Sequence, residues 1–574
     1  MKKIGLVHSP NKDYSANQNY GLQFAPVWAF VLSTYINGKG CTTELYDLSV
    51  DKKDIIGKAD AYFLSGINQD LSSLLDVVTY LRRTYPGVPL FIGGPIAWSF
   101  DQAGQLGRLD AFDHICIGDG ELLVGQIIDA LESDTTLPHV IKEIKRFDLA
   151  KSQPMDSRLI RASCKSYYGG VIEVSRGCPF LCEFCDIRVM PDNNKSHNRS
   201  VDVIIAELDL YRQLGIRNIQ LACDNFIGDY EWAKRLVDAL IAYNKQHGYV
   251  PSFYTWVTIN IANYKDLLRK MRVAGFDNLF IGVESFEVNT LLETAKLQNT
   301  KFDLINSIIE IQSFGFLVVA GLIFGFDSDT DESFEITLDG ITRSGLLSGD
   351  ASLLTALPGT PLFRRMRLSG RLREFKHDAL LGGYKYVTNI EYLMAKDRLI
   401  AGYIAFSKSF LRGSYQYSRI RQFYRIISNS NNLVNITRPG YTDIGAFLKK
   451  AFRSPSLFVF HLFRLRPLLM PSRLYYLLKA MILALWMKAR RGIGFQYFVF
   501  WLFIWVNALN KYGAIAPDDF NIESIPEDFD FSKIIPAGYL EQADENIPRS
   551  KINAQYKATV RQLRNVIKIK TVSN

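Results

Sequence analysis

The stretch SRGCPFLCEFCDI, residues 175–187, gathers three of the chain's seven cysteines, Cys178, Cys182 and Cys185, into one loop. Thiolates at that density bind a soft metal. A structural zinc site takes four ligands, and no fourth Cys or His stands nearby at zinc spacing: Cys164 lies before the loop's strand and Cys223 ends the next strand-like run. An iron–sulfur cube held by three cysteines leaves one iron open to a small ligand. A cube, a zinc site completed from afar and three thiols that bind nothing are the readings open at this point.

Outward from the loop, strand-like runs alternate with helical ones. VIEVS (171–175) leads into the loop, and IQLACD (219–224), FYTWVTI (253–259), NLFIGVE (278–284), LVVAGLIFG (317–325) and SLLTAL (352–357) follow, with helical patterns such as VDVIIAELDLYRQLG and YKDLLRKMRVAG between them. Six such units predict a full or partial parallel (β/α)6 barrel over residues 169–375, with the cysteine loop at the carboxyl end of its first strand, where barrel enzymes carry their chemistry. Other residues at those ends become candidates: Asp224 and Asn225, Thr258 and Asn260, Glu284 and Ser285, Gly325 and Asp327, and Gly359. Polar residues at strand ends also serve as caps and turns.

Before the barrel, IGLVHS (4–9), TELYDLS (43–49), AYFLSGI (61–67), PLFIGGP (89–95) and DHICIG (113–118) alternate with helical segments, the first of them PVWAFVLSTYINGKG (26–40). This predicts a doubly wound parallel sheet over residues 1–135. Ligands of such sheets bind beyond the carboxyl strand ends, which makes Gly94 and Gly118 candidate cofactor contacts, with tight turns as the plainer reading. Residues 136–168 read as a linker, polar and carrying Pro138 and Pro154.

The rest, residues 376–574, predicts a mainly α-helical extension. Residues 440–511 hold eleven Lys or Arg and one acid, Asp443, among apolar runs including SLFVFHLF (456–463) and RLYYLLKAMILALWMK. The run GIGFQYFVFWLFIWVNALN (492–510) has no charge and sits between Arg491 and Lys511. Its length just reaches a membrane span, its flanks suit a helix lying in the membrane interface, and a buried helix closing the barrel mouth is the third reading. The aromatics cluster in apolar runs instead of interleaving with the basic residues, which argues against nucleic acid.

Composition agrees with a multidomain globular chain: 574 residues, 48% hydrophobic and 22% charged. Aromatic content of 13% points to large apolar contacts, with a greasy substrate or a membrane surface. The remaining cysteines, Cys41, Cys116, Cys164 and Cys223, are scattered, which is no disulfide framework. The opening MKKIGLVHSPNKDYS lacks a secretory pattern. The expected location is cytoplasmic, with peripheral contact at the inner membrane face as an extension of that expectation.

Cys178-x3-Cys182-x2-Cys185, with Phe184 before the last cysteine, resembles the signature of radical S-adenosylmethionine (SAM) enzymes. SRGCPFLCEFCDI, DNFIGD (224–229), TINIA (258–262), FIGVES (280–285), KLQN (296–299), GLIFGFDSD (321–329) and ALPGTPL (356–362) resemble, in order, the hopanoid C-2 methylase-like group. IGDGE (117–121) and ALLGGYKYVTNIEYLMAKDRLIAGY (379–403) extend the likeness into the flanking regions. The resemblance implies a cobalamin-binding N-terminal domain, a [4Fe–4S] cluster on Cys178, Cys182 and Cys185, and SAM on the open iron. SAM contacts would come from Phe184, Asp224, Asn225, Thr258, Glu284, Ser285 and Gly325. One electron, from a donor such as flavodoxin or ferredoxin, would split SAM into methionine and a 5′-deoxyadenosyl radical that takes hydrogen from an unactivated carbon. Methylcobalamin would then methylate a hydrophobic substrate, with lipids among the candidates.

The chain departs from that pattern in two places, with Cys223 where an Asp is expected and Trp256 near where a Glu is expected. Cys223 either meets substrate or packs as a small buried residue. The Asp-x-His-x-x-Gly motif for a cobalamin axial histidine is absent; His8 ends the first strand without that context, and His114 reads as structural. Related proteins hold cobalamin without a histidine. The alternatives are a cobalamin-independent radical SAM enzyme performing C–C coupling, cyclisation or oxidation, and a cobalamin- or zinc-binding regulator without turnover.

Overall fold

The computed structural model describes residues 1–11, 25–293, 296, 299, 303–373, 386–436 and 465–535. The expectations for residues 379–385, for SLFVFHLF and for the basic tail lie outside these residues.

The first sheet has strands β1 (Lys3–His8), β2 (Thr42–Asp47), β3 (Ala61–Ser65), β4 (Leu90–Gly93), β5 (His114–Ile117) and β6 (Val140–Lys142). All pair in parallel, in the order β2-β1-β3-β4-β5-β6. Period-two alternation covers the sheet on both faces. Ile4, Leu6, Phe63 and Phe91 enter one core with α1 (Val27–Gly38) and α4 (Gly120–Glu132). Val7, Leu64, Leu90 and Ile92 enter another with α2 (Leu71–Thr84) and α3 (Pro95–Ala103). The strand order reverses between β1 and β3, which places the ligand-binding crevice of this topology there.

The segment expected as a linker is structured in part. Val140–Lys142 forms the edge strand β6, and Ser157–Ser163 forms α5, capped by Asp156, whose carboxylate accepts from Arg158 N–H at 2.9 Å. Only Ile141 of the strand is buried, so hydropathy alone gave no sign of it.

The second sheet runs β7 (Gly170–Glu173), β10 (Asn218–Ala222), β11 (Ser252–Val257), β12 (Phe276–Glu284), β13 (Leu317–Phe324) and β14 (Asp350–Leu353), paired in that order and all parallel. β14 and β7 are the two edges, so the barrel is partial. A short hairpin, β8 (Ser175–Arg176) with β9 (His197–Asn198), frames the cysteine loop. The outer helices are α6 (Val201–Gln213), α7 (Tyr230–His247), α8 (Lys265–Ala274), α9 (Val288–Glu293), α10 (Leu304–Ser313), α11 (Ser333–Ser344) and α12 (Pro361–Leu368). In α8, Leu267, Leu268, Met271 and Ala274 form the buried stripe at helical spacing.

The extension holds α13 (Lys396–Phe410), α14 (Gly413–Ser428), α15 (Pro471–Arg491) and α16 (Gln496–Tyr512). It also contains a two-stranded parallel sheet, β15 (Tyr386–Tyr392) with β16 (Phe520–Ser524), which the helical expectation did not include. Within 492–510 the helix is buried, but not across the barrel mouth: Tyr497 donates to Gly315 O (2.9 Å), ahead of the amino end of β13. Trp501 and Trp505 are fully buried, and their indole N–H groups donate to Gln416 O (3.1 Å) and Leu411 O (3.2 Å). At 150–250 Å² per buried aromatic and ~25 cal/mol/Å², each indole contributes roughly 4–6 kcal/mol of gross burial energy. Among the described residues, no helix is long and apolar enough to cross a membrane.

The carboxyl ends of the two large sheets meet. Arg176, just past β7, reaches Glu121 and Asp119, just past β5. Val189 and Met190 of the cysteine loop pack against the second core of the N-terminal domain.

Candidate functional site

The cysteine loop is closed by its own backbone and by side chains from both domains. Cys178 N–H donates to Asn193 O (3.0 Å), and Cys185 N–H to Cys182 O (3.2 Å). Buried Asn193 donates through Nδ2 to Ile187 O (2.8 Å) and accepts from Arg146 Nη1 (3.1 Å). Gly177 takes φ 89°, and a Cβ there would strike Lys195 O, so only glycine fits the turn into the first cysteine. Burial pushes the Cys178 thiol up to about 11 and that of Cys185 well above its ordinary value. Among the described residues, no three His, Cys, Asp or Glu side chains converge as they would around one metal ion. Cys178 and Cys182 both lie close enough to Cys185 to act on its thiol, so the loop gathers the three sulfurs on one side of the first barrel strand's end.

The strand ends assemble around the loop. Asp224 Oδ2 accepts from Gly177 N–H at 2.6 Å, and burial pushes its carboxyl up to about 6. Asn225, buried, points Nδ2 at Cys178 Sγ (3.8 Å) and Thr258 Oγ1 (3.4 Å). Glu284 has the left-handed φ of 64°, uncommon for a non-glycine residue. Its carboxylate pairs with buried Lys296. Although burial works against the Lys296 charge, Glu284 and then Cys182 raise its pKa, and its ammonium lies 5.8 Å from the centre of the Phe184 ring. Ser285 Oγ accepts from Glu287 N–H (3.1 Å), a local turn bond. Two groups form around the loop, Asp224, Asn225 and Thr258 at its Gly177–Cys178 start and Glu284 with Lys296 at Phe184; Ser285 is next to Glu284 but turned into its own loop.

The barrel interior below them is aromatic. Along β11, Phe253, Thr255 and Val257 are buried, while Tyr254 and Trp256 alternate with them and contact each other at 5.1 Å between ring centres. Phe280 of β12 follows at 6.4 Å from Trp256. Thr255 Oγ1 donates to Leu221 O (2.9 Å) and so accepts from the Cys223 thiol (3.2 Å), which burial pushes up to about 12. Cys223 is a neutral, hydrogen-bonded thiol, and an apolar surface stands where the resemblance led to carboxylates.

At three glycines expected to border a ligand, the direction a side chain would take is filled by protein atoms. A Cβ on Gly94 would overlap Ser65 Oγ; on Gly118 it would lie 2.7 Å from Glu143 O; on Gly325 it would lie 2.5 Å from the Tyr392 ring. Gly94 and Pro95 start α3, and Gly325 N–H donates to Asp329 Oδ2 (2.7 Å). Gly359 packs against Ser99 O, 3.1 Å from its would-be Cβ. His8 Nδ1 accepts from Trp28 Nε1–H (3.4 Å), and burial lowers its pKa. His114 stacks on Phe91 at 4.6 Å, in keeping with a structural role.

A buried charge network behind the loop escaped sequence reasoning. Arg365 of α12 binds Glu183, the residue after Cys182, through Nε–Oε1 (2.7 Å) and Nη2–Oε2 (2.9 Å), and its Nη1 reaches Asp327 Oδ2 (3.1 Å). Arg371 clamps the same Asp327 at 2.6 and 2.9 Å. Burial and then Asp327 push Glu293 up to about 7, while Arg371 and then Arg365 overcome burial to hold Asp327 well below the carboxylate range. The signal was faint: a charged residue inside an otherwise apolar cysteine motif.

Residues 172–341 match the radical SAM superfamily. The chain is 31% identical over 348 residues to the hopanoid C-2 methylase of Rhodopseudomonas palustris, covering 60% of this chain and 62% of that one. It is 30% identical over 292 residues to an uncharacterized methyltransferase of Synechocystis, covering 49% and 51%. The chain thus spans between half and two thirds of the length of these relatives. Among solved structures it resembles the cobalamin-dependent SAM radical enzyme OxsB with aqua-cobalamin and SAM bound, with a TM-score of 0.56 and 16% identity over 97% of this chain and 84% of the other. It also resembles the radical SAM methyltransferase TsrM of Kitasatospora setae, with a TM-score of 0.51 and 16% identity over 64% and 75%.

Proposed function

Since residues 172–341 match the radical SAM superfamily, we propose that this chain cleaves SAM reductively at a [4Fe–4S] cluster and uses cobalamin to methylate an unactivated carbon of a hydrophobic substrate. The observation that carries this reading is the loop itself, which sets three thiols, Cys178, Cys182 and Cys185, just past the carboxyl end of the first barrel strand. When bound, the cluster and SAM supply the 5′-deoxyadenosyl radical, and cobalamin supplies the methyl group. One electron enters per SAM cleaved, from a donor such as flavodoxin or ferredoxin.

The residues have distinct tasks in this reading. Cys178, Cys182 and Cys185 hold the cluster, and the loop closed by Asn193 and Arg146 keeps them in register. The Lys296 ammonium and the Glu284 carboxylate stand beside Phe184 as a charge pair matched to the carboxylate and ammonium of an amino acid. Asp224 and Asn225 fix the floor of the loop. Tyr254, Trp256 and Phe280 line an apolar barrel interior that excludes water and favours a hydrophobic substrate. The crevice where the two sheets' carboxyl ends meet is the place for cobalamin, between the Arg176 latch and the β1/β3 switch point.

Anaerobically reconstituted protein given SAM and dithionite tests the chemistry. The expected result is about four irons and four sulfides per chain, with 5′-deoxyadenosine and methionine formed together, and neither product from Cys182→Ala. Stoichiometric zinc, or no cleavage by the iron-loaded protein, would overturn the reading. Corrinoid absorbance retained by protein produced with cobalamin separates methylation from the cobalamin-independent alternatives.

A further inference from the structure

Helix α15 carries an exposed apolar stripe that nothing in the proposed chemistry uses. Leu474, Tyr475, Leu478, Ile482, Leu485 and Trp486 are 37% to 64% exposed. At 3.6 residues per turn they fall within an arc of about 120°. The opposite face, Ala480, Ala484 and Met487, is buried against the protein. Tyr476 faces Tyr417 of α14 at 6.0 Å, which fixes how the helix lies.

Charge frames the stripe. Residues 465–491 contain no Asp or Glu but include Arg466, Arg473, Lys479, Lys488, Arg490 and Arg491. On the helical wheel Lys479 and Arg490 border one edge of the apolar arc and Lys488 the other. Lys479 is braced over the Tyr417 and Tyr475 rings at 5.0 and 5.1 Å, at the stripe's edge. An apolar arc with Trp and Tyr, edged only by cations, is the pattern of a helix that lies in a bilayer interface.

Charge also separates the occupants. A second copy would bring the same cationic edge against this one. Residues 437–464 and 536–574 of the chain itself each carry more Lys and Arg than Asp and Glu. An anionic lipid surface is the complementary partner. We infer that α15 docks the protein on an anionic membrane face, with the six exposed side chains entering the acyl boundary and Lys479, Lys488 and Arg490, at the edges of the arc, meeting headgroups. The interfacial element is then α15 and not the more hydrophobic α16, whose indoles are consumed by the interior. This inference stands apart from the proposed chemistry.

The test is co-sedimentation of the full chain with phosphatidylcholine vesicles, with and without phosphatidylglycerol. Wild-type protein should pellet with the anionic vesicles and be released as salt shortens the Debye length below about 10 Å. Ile482→Glu with Leu485→Glu should weaken the association by at least roughly tenfold for each apolar side chain replaced. Lys479→Gln with Lys488→Gln and Arg490→Gln should remove the preference for phosphatidylglycerol. Val273→Glu, at an exposed apolar residue on α8, should pellet as wild type does. Wild-type protein left in the supernatant, or pelleting unchanged by the Glu pair, would overturn the inference. So would a melting temperature lowered by the Glu pair, because the chain itself would then cover the stripe. A wild-type dimer dissolved by the Glu pair, with pelleting unaffected, would assign the stripe to self-association instead.

Discussion

Arg365 and Glu183 lie 182 residues apart in the chain and meet in a bidentate pair, 2.7 and 2.9 Å, with both side chains at most 4% exposed. The pair ties the cysteine loop to α12, and through Asp327 and Arg371 to the segment after β13. Its partners are buried, so its worth lies in holding geometry: breaking one side of such a pair costs about 3–5 kcal/mol, while replacing both sides is often nearly neutral. Arg365→Met is therefore expected to lower the denaturation midpoint and the iron retained per chain after reconstitution. Glu183→Leu combined with Arg365→Met should recover much of the stability but less of the iron, since packing is restored and the loop's anchor is not. Equal recovery of both would show that the pair serves folding alone.

Glu293 gives the same network a pH signature. Its carboxylate accepts from Asp327 N–H (3.0 Å) and Ser328 N–H (3.0 Å), and burial with the nearby Asp327 charge raises its pKa to about 7. A carboxyl whose folded pKa lies above its unfolded value of ~4.5 binds a proton in the native state that the unfolded chain has released. Stability from this group is full below the unfolded value and falls as pH rises toward 7. The slope is at most about 1.4 kcal/mol per pH unit in that window. Chemical denaturation at a series of pH values should show a fall in stability over this window that is shallower in Glu293→Gln than in the wild type, Asp224 and other raised carboxyls supplying the remainder. The comparison of slopes is unaffected by any constant loss that the amide brings.

How far these features were legible differs by range in the sequence. The cysteine loop and the strands around it are local signals, carried by spacing and by runs such as LVVAGLIFG, and they stand where expected. Strand β6 was hidden because an edge strand of three residues buries only Ile141. The Arg365–Glu183 pair was hidden because no local pattern links positions in α12 and the loop. The two apolar helices of the extension show what hydropathy omits. α16 is the more apolar and is covered, while α15 is the more basic and bares its apolar arc; what covers a helix depends on tertiary neighbours such as Gln416 and Leu411. Gly94, Gly118 and Gly325 carried a ligand reading because glycine permits close approach, and the fold adds a second reason for glycine there, since Ser65, Glu143 and Tyr392 occupy the space of a side chain.

Arg176 predicts how the two sheets are held together. Its guanidinium joins Glu173 (2.8 Å) behind the loop to Glu121 and Asp119 of the N-terminal domain, and Arg146 reinforces Asp119 at 2.8 Å. These carboxylates belong to the IGDGE turn, which acts here as a latch. Arg176→Ala leaves Glu121 buried without its cation, a loss on the order of 3–5 kcal/mol at the interface. Proteolysis between residues 133 and 168 should speed up, and cobalamin retained per chain should fall, while iron per chain stays close to wild type. Loss of iron in step with cobalamin would instead make Arg176 part of the cluster loop's own support.

Lys296 is a buried cation whose charge interacts with those of Cys182 and Cys185. Glu284 holds it in place and is itself kept in a left-handed backbone conformation that costs on the order of 1–3 kcal/mol in a non-glycine residue. That strain persists because the ion pair and the surrounding core determine the position of both groups. A cation facing the thiolates favours the form of a bound cluster that has gained an electron. Lys296→Met removes it and leaves the Glu284 charge, so the cluster becomes harder to reduce. Through an effective dielectric of about 20 a charge several ångströms away acts with on the order of 1–2 kcal/mol, which is several tens of millivolts for one electron. A redox titration followed by electron paramagnetic resonance should show the midpoint moved negative by that amount in Lys296→Met. Lys296→Arg, which keeps the charge, should lie near wild type. A midpoint unchanged in the Met variant with SAM affinity lowered would confine Lys296 to substrate binding; a midpoint and affinity both unchanged would leave the Lys296–Glu284 pair a purely structural contact.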